Sequence, residues 1–470
     1  MSEACRVRSE RRPPGPRADD REFRHAASLT HPAPQRHAQR RGGSGPPAPP
    51  RHNVASHGPS ARDTAPRAMQ SRVLFFVFAT VLFDMVGFGI VIPLLPFYVQ
   101  SMGGSAEIVG LLLGTFALTQ TVATPILGRL SDRYGRRPII LASLFGNGVA
   151  MLIFALAAER AWLPLLFVSR ILAGTTAGNL AACQAAVADV TSGAERAAGM
   201  GRVGAGIGLG LVIGPVLGSA IGRLHPNAPL LAAALLAFVD LAGVYFLMPE
   251  TRRQTAPAAA GGPPHRPLRR VLAEAPILAI MGIYFLTFIC MTNVQVSLAL
   301  LADARLGWTQ TEVGHLFGLY GLMALAVQGG AIGKISRRFP AVNVLVGGTV
   351  AIGLGMAAIA AARSPAPLVI GVALAGLGAG LVNPMLASLA SQHAGAAQQG
   401  TILGFAQSAG GAARTVGPVW SGFLFVRLGA ASPFVSGVVA AALSLAVELA
   451  LRRRMLAARS LADDIVVAPS

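Results

Sequence analysis

The sequence predicts an all-α membrane protein with twelve transmembrane helices in two pseudo-symmetric six-helix bundles. Three observations carry this. Apolar runs of about 20 residues, the length a helix needs to cross a bilayer, recur from Ser71 onward. Only 13% of the 470 residues are charged while 53% are hydrophobic, against roughly 25% charged in soluble proteins. The second half of the chain also repeats short phrases of the first at a nearly constant offset.

Twelve runs qualify in order: 73–98, 107–128, 138–158, 163–190, 200–222, 229–248, 276–301, 311–333, 341–361, 366–390, 401–426 and 432–451. Strands of a closed barrel would be shorter and alternating, so the spans are read as helices. The polar stretch 249–275 separates six runs from six, giving bundles at 72–248 and 276–452 and a tail at 453–470. The halves echo each other. LAGTTAG at 172–178 returns as LAGLGAG at 374–380, GPVLG at 214–218 as GPVWSG at 417–422, and EIVG at 107–110 as EVG at 312–314. Two such six-helix repeats are a transporter signature.

Residues 1–71 form a basic arm without periodicity, read as disordered. No apolar core follows an early basic stretch, so it does not resemble a signal peptide. Met69 stands just before the first apolar run and is the expected native start. The net charge of +19 would suggest nucleic acid in a soluble protein, but no basic stretch here carries interleaved aromatics, so nucleic-acid binding is not expected. Instead the basic residues sort by loop. If the N-terminus is inside, the inner segments hold Arg129, Arg133, Arg136, Arg137, Arg196 and Arg202, five arginines of the middle loop, Lys334, Arg337, Arg338 and four tail arginines. The outer loops hold Arg160, Arg223, Arg305, Arg363 and Arg427. This bias predicts an inner (plasma) membrane protein with both termini cytoplasmic. The three cysteines and nine histidines form no disulfide framework, zinc spacing or HExxH pattern, so no metal or cofactor is expected. No P-loop is present, which leaves an ion gradient as the energy source. An enzyme is not expected, and a monomer is.

Four motifs carry a resemblance. GRLSDRYGRR at 128–137 resembles the signature loop between helices 2 and 3 of the major facilitator superfamily, through Gly128, Asp132, Arg133, Gly135, Arg136 and Arg137. A degenerate copy, GKISRR at 333–338, has Arg337 in place of Asp132. GRVGAGIGLGLVIGPVLGS at 201–219 resembles the antiporter motif of drug:proton exchangers, matching at Gly201, Gly210, Gly214, Pro215 and Gly218, with Ser219 for the last glycine. Arg170 and Gly174 match a helix 4 pattern in which Ala173 replaces glutamine, and FDMVGFGIVIPLLP at 83–96 is similar to helix 1 of tetracycline-type exporters. The resemblance covers about residues 72–452 and implies the major facilitator fold, alternating access, and export of a small amphiphilic drug-like compound in exchange for protons. Protons are preferred over sodium on the same ground. One departure is Ala150, where the tetracycline exporters carry an aspartate on helix 3.

Ionisable groups within a bilayer are costly and usually functional. Asp84 lies 11 residues into the first span, about 16 Å deep at 1.5 Å per residue, and an acid that is costly to keep charged there suits a proton carrier. Arg170, in the fourth span, is expected to meet Asp84 and hold its charged form until substrate or a conformational change parts them. Asp240 in the sixth span is a candidate second proton site. Asn179, Gln184, Asn293, Gln295 and Asn383 could line a central cavity or bond between helices, and Arg414, without an obvious acidic partner, is grouped with them. Asp189 is expected to fix loops, and Glu448 to pair with Arg452 four residues on. The glycines of 201–218 are expected to let helices approach closely. The 128–137 cluster is expected to close the cytoplasmic side in one state and break in the other. A proton-coupled metabolite transporter or importer is the alternative reading, and a non-transporting membrane sensor a weaker one.

Overall fold

A computed structural model describes residues 67–251, 275–393 and 399–467. The expectations placed on the arm up to 66 and on most of the 249–275 linker lie outside the described residues. So do those on the last three residues of the tail.

The described chain is helical, with no strand among the described residues. A backbone inside a bilayer must satisfy its own N–H and C=O groups, and helices do this within one segment. The first half contains α1 (Arg67–Ser101), α2 (Ala106–Tyr134), α3 (Arg136–Glu159), α4 (Leu163–Thr176), α5 (Asn179–Val190), α6 (Gly193–Ile221) and α7 (Ala228–Leu247). The second contains α8 (Ala275–Leu306), α9 (Gln310–Ala326), a π-helical turn (Val327–Ala331), α10 (Ile332–Arg338), α11 (Ala341–Ala361), α12 (Pro365–His393), α13 (Gln399–Leu428) and α14 (Ser432–Val467). Eleven helical segments among the described residues are long and apolar enough to cross a membrane. The remaining expected span is α13, a 30-residue helix that carries Gln407, Ser408, Arg414 and Thr415.

Two expected spans are interrupted. The fourth breaks at Ala177–Gly178 into α4 and α5. Thr175 and Thr176 hydroxyls bond back to the Leu172 carbonyl at 2.8 and 2.9 Å, a pattern that bends helices. Gly178 admits Leu127, whose Cδ1 stands 2.5 Å from where a Cβ would be. The eighth span passes through the π-helical turn, a feature often found at functional sites. Each interruption brings an amide, Asn179 or Gln328, to the centre of the molecule.

The halves repeat one packing scheme. In the first, α1 packs on α6 and α7, α3 on α4 and α7, and α2 on α4. In the second, α8 packs on α13 and α14, α11 on α12 and α14, and α9 on α12. Each half has its own apolar core, around Leu94, Phe154, Leu166 and Leu230 in the first and Ile283, Leu345, Leu386 and Phe434 in the second.

The halves touch chiefly through α2 with α13 and α6 with α9. Both seams are tight at the end away from the 128–137 loop. A Cβ on Gly110 would stand 2.3 Å from the Pro418 carbonyl oxygen, one on Gly422 2.4 Å from that of Ala106, and one on Gly314 2.4 Å from Ser219 Cβ. Polar contacts join the same end: Arg223 Nε donates to Thr311 Oγ1 at 3.2 Å and Gln100 Nε2 to Asp303 Oδ2 at 3.4 Å. At the loop end the same helices part. Gly128 on α2, Gly404 on α13, Gly201 and Gly204 on α6, and Gly333 on α10 have no described residue within 4 Å of a Cβ position. Among the described residues, the close contacts between the halves therefore gather at the far end, and these loop-end glycines have no neighbour in either half.

Candidate functional site

A cavity of about 490 Å³ lies between the halves. Asp84 (α1), Gln120 (α2), Asn147 (α3), Arg170 (α4) and Asn179 (α5) line it from the first half, and Gln295 (α8), Gln328, Asn383 (α12) and Arg414 (α13) from the second. Phe88, Phe116, Phe288, Phe317 and Tyr320 supply much of its apolar wall. Mostly apolar walls with a few converging polar groups are the usual form of a small-molecule site.

Asp84 is the one carboxylate among the described lining residues. Asn179 Nδ2 donates to its Oδ2, and Asn147 Nδ2 to its Oδ1 at 3.4 Å. The break between α4 and α5 makes this possible, since it starts α5 at Asn179. The expected pairing of Asp84 with Arg170 is not formed. The Arg170 guanidinium lies over the Phe154 ring at 4.7 Å and donates to Ser169 Oγ at 3.2 Å. Its Nε is buried without a partner. The two residues lie at matching depths in the sequence, but two amides reach the acid first.

Asp240 does not line the cavity. It is buried behind α1, where Thr80 Oγ1 donates to its Oδ1 at 3.1 Å and its Oδ2 has no partner. Two expected cavity amides are also elsewhere. Asn293 is fully buried and donates to the Pro433 carbonyl at 2.7 Å and Ser436 Oγ at 3.1 Å, tying α8 to α14. Gln184 is exposed and outside the lining. Glu448 does not pair with Arg452 either. It points into the second half, where Thr349 Oγ1 and Ser444 Oγ donate to its Oε1 at 2.7 and 3.0 Å. Arg414 faces the cavity with its guanidinium over the Phe288 ring at 5.2 Å. Ala150, at the position of the exporters' helix 3 acid, is fully buried outside the cavity, and its carbonyl accepts from Ser169 Oγ at 2.9 Å.

The 128–137 loop is a knot of charge within the first half. Arg136 donates through NH1 to Asp132 and through Nε to Asp189 Oδ2 at 3.0 Å, so Asp189 fixes the loop as expected. Arg137 donates to the Tyr245 carbonyl and lies over the Tyr245 ring at 5.5 Å; Arg133 lies over Tyr134 at 5.3 Å. Sequence reasoning missed Glu250. Its carboxylate accepts from the backbone N–H of Arg136 at 2.9 Å and of Arg137 at 3.1 Å, capping α3 from the end of α7. Gly135, at φ +109°, makes room, because a Cβ there would stand 2.5 Å from Glu250 Oε2. The proximity of Glu250 to the basic run 252–253 was the available signal, but nothing in it points 114 residues back.

The glycines of 201–218 face α1. A Cβ on Gly210 would stand 2.4 Å from Met85 Cβ, one on Gly214 2.5 Å from the Val86 carbonyl oxygen, and one on Gly218 3.1 Å from Ile90 Cγ2. Pro215 Cδ lies 2.9 Å from a Cβ position on Gly89. The stripe thus seats α6 directly against the segment of α1 that carries Asp84. Gly201 and Gly204 are exceptions, open at the loop end, and Gly208 faces Leu325 of α9, whose Cδ1 stands 2.7 Å from a Cβ position.

The sequence model of the Major Facilitator Superfamily matches residues 77–418 and, in a second match, 280–462. Tetracycline resistance protein, class C, of Escherichia coli is 31% identical over 390 residues, spanning 82% of this chain and 97% of that one. The class B protein of Escherichia coli is 30% identical over 364 residues, 73% of this chain and 89% of the other. Among solved structures, the human organic anion transporter MFSD10 (TETRAN) superposes with a TM-score of 0.62 at 25% identity, over 81% of this chain and 99% of that one. A bacterial homolog of the human lysosomal transporter Spinster, inward-facing and occupied, gives a TM-score of 0.64 at 15% identity, over 83% and 98%.

Proposed function

The chain belongs to the major facilitator superfamily, and from that premise we propose that it exports a small amphiphilic compound in exchange for protons, as a tetracycline-type efflux transporter. The observation that carries this reading is Asp84. It is an acid on the wall of a cavity between two halves whose close contacts gather at one end. A charged acid in a low-dielectric wall is costly unless compensated. A proton neutralises it, and an arriving substrate that donates to or carries positive charge against the Asp84 carboxylate, while Asn179 and Asn147 keep their hydrogen bonds to it, would release that proton. Residues 72–248 and 276–452 act as the two rocking bodies, the 249–275 linker joins them, and Asp240 stands in reserve behind α1. The loop bearing Arg133, Arg136 and Arg137 faces the cytoplasm, with both termini on that side of the inner membrane. The end lacking those contacts is then the inward one, and Asp132, Arg136 and Asp189 brace the first half where the cytoplasmic gate closes.

The protein is reconstituted in liposomes with a pH dye inside, an inward-acidic gradient is set, and amphiphiles including tetracycline are added. Compound-triggered alkalinisation that is lost in Asp84→Asn supports exchange through Asp84. Proton movement that survives the substitution overturns it.

A second reading is a proton-coupled metabolite transporter. It is favoured by Arg170 and Arg414, which add two guanidiniums to a cavity with one carboxylate. Protonation of Asp84 strengthens the pull of such a cavity on an anion, so solute and proton would travel together. Acidification of the lumen on adding solute, in place of alkalinisation, selects this reading.

A further inference from the structure

We propose that the cavity takes an organic anion, an aromatic or otherwise apolar body carrying one carboxylate or sulfonate, with the acid group held by Arg414. The inference rests on the cavity being the transport site and, of the two readings above, on the one in which solute and proton travel together.

The two cavity guanidiniums are held in an unusual way. Arg414 lies over the face of Phe288 and Arg170 over the face of Phe154. Neither has a carboxylate within ion-pair distance among the described residues. An aromatic face holds a guanidinium through its quadrupole without neutralising it and without occupying its N–H edge; on Arg170 one of those groups donates to Ser169 Oγ. Arg170 is 3% exposed and its Nε has no partner, a costly state for a buried donor unless a ligand offsets it. The only counter-charge on the described wall is Asp84, already engaged by two amides. The other polar lining groups are neutral amides and hydroxyls, so the two guanidiniums outnumber the one carboxylate on the described wall.

Arg414 is the better anchor. It is only partly buried, and it stands on α13, which packs on both α8 of its own half and α2 of the other. The planar fork of its guanidinium matches a carboxylate or sulfonate through two N–H donors. Phe288 beside it stacks on Tyr284 at 6.3 Å, so the anchor has a rigid backing. A compound with its acid at Arg414 meets Phe317 and Tyr320 as further apolar wall. Arg170, on the opposite half, raises the positive potential without needing to touch the acid.

The test compares three probes that share a ring system and differ in charge: 2-naphthoate, 2-naphthylmethanol and 2-naphthylmethylamine. Equilibrium binding to the purified full chain in detergent is measured by calorimetry, with wild type, Arg414→Gln and Arg414→Lys. The naphthoate should bind most tightly. Arg414→Gln should weaken it at least about tenfold, the loss expected for a charge-assisted pair, with little change for the alcohol. Arg414→Lys should restore part of the loss, which a merely misfolded variant would not do. Equal or tighter binding of the amine, no binding of the naphthoate, or an unchanged naphthoate affinity in Arg414→Gln would overturn the proposal. Binding and proton flux are read separately. Proton exchange through Asp84 without anion preference leaves the transport reading standing and removes this one, and the converse result does the reverse.

Discussion

Replacing Gly214 by alanine tests whether the glycine stripe seats α6 on α1. The added Cβ would stand 2.5 Å from the Val86 carbonyl oxygen and 2.8 Å from Gly89 Cα. Ordinary contact begins at 3.4 Å, so the two helices must part by about 0.9 Å. Both obstructing atoms are backbone, so no side chain can swing aside. Overpacking of this kind costs about 1–3 kcal/mol, against a helix-propensity gain of up to about 1 kcal/mol for the same change in an open position. Gly201→Ala is the internal control, in the same motif but with no described residue within 4 Å. In a unit of about this size, each kcal/mol moves the melting temperature by roughly 2–4 °C. Thermal unfolding of both variants in detergent should show Gly214→Ala melting several degrees below wild type and Gly201→Ala level with it or slightly above. A Gly214→Ala protein that melts with wild type, or an equal fall in Gly201→Ala, refutes the seam argument.

Three other substitutions test separate parts of the structure. Gly110→Val places a side chain against the Pro418 carbonyl oxygen, 2.3 Å from the Cβ position, and should hold the far end open; maleimide labelling of Ser219→Cys, in a chain with Cys5, Cys183 and Cys290 replaced by serine, should then rise, and unchanged labelling counts against the far-end seal. Glu250→Ala removes the cap on the N–H groups of Arg136 and Arg137 and should cost about 0.5–2 kcal/mol, read as a lower melting temperature, whereas an unshifted melt would show that the cap carries no stability. Asp240→Asn keeps an acceptor for Thr80, whose hydroxyl lies 3.1 Å away, and leaves the cavity wall untouched, so substrate affinity should stay within about twofold of wild type by calorimetry; a tenfold loss would place Asp240 in the site after all.

The helices were legible because a bilayer imposes a length and a composition that composition alone reveals. Each of the twelve expected runs is helical, and the repeat phrases fall on helices that pack alike in the two halves. Asp84 was legible for a related reason: an acid in an apolar run has few explanations. What could not be read was which neighbour reaches a polar group first. Asn293 sits on the same helix as Gln295, two residues away, yet one is fully buried against Pro433 and the other faces the cavity. That difference is set by how α8 is rotated against α14. Glu448 and Arg452 have the spacing of a helical ion pair, but Thr349 lies 99 residues away in sequence and 2.7 Å away in space. The break at Ala177–Gly178 had a local signal in its two threonines and its glycine, overlooked because the run was apolar enough to be continuous.

The space beside Gly128, Gly201, Gly204, Gly333 and Gly404 has a consequence for the set point between the two orientations. A methyl group added there meets no described residue in the present form, and where it points toward the other half it would be crowded only as the loop ends come together. Such a change adds free energy to one conformer alone, and every 1.4 kcal/mol moves the ratio of the two tenfold. The far-end glycines act with the opposite sign. The resting ratio of the two orientations is therefore adjustable in small steps at positions outside the cavity wall, so the balance between loading and release can drift or be engineered while the chemistry of the binding site is left as it is.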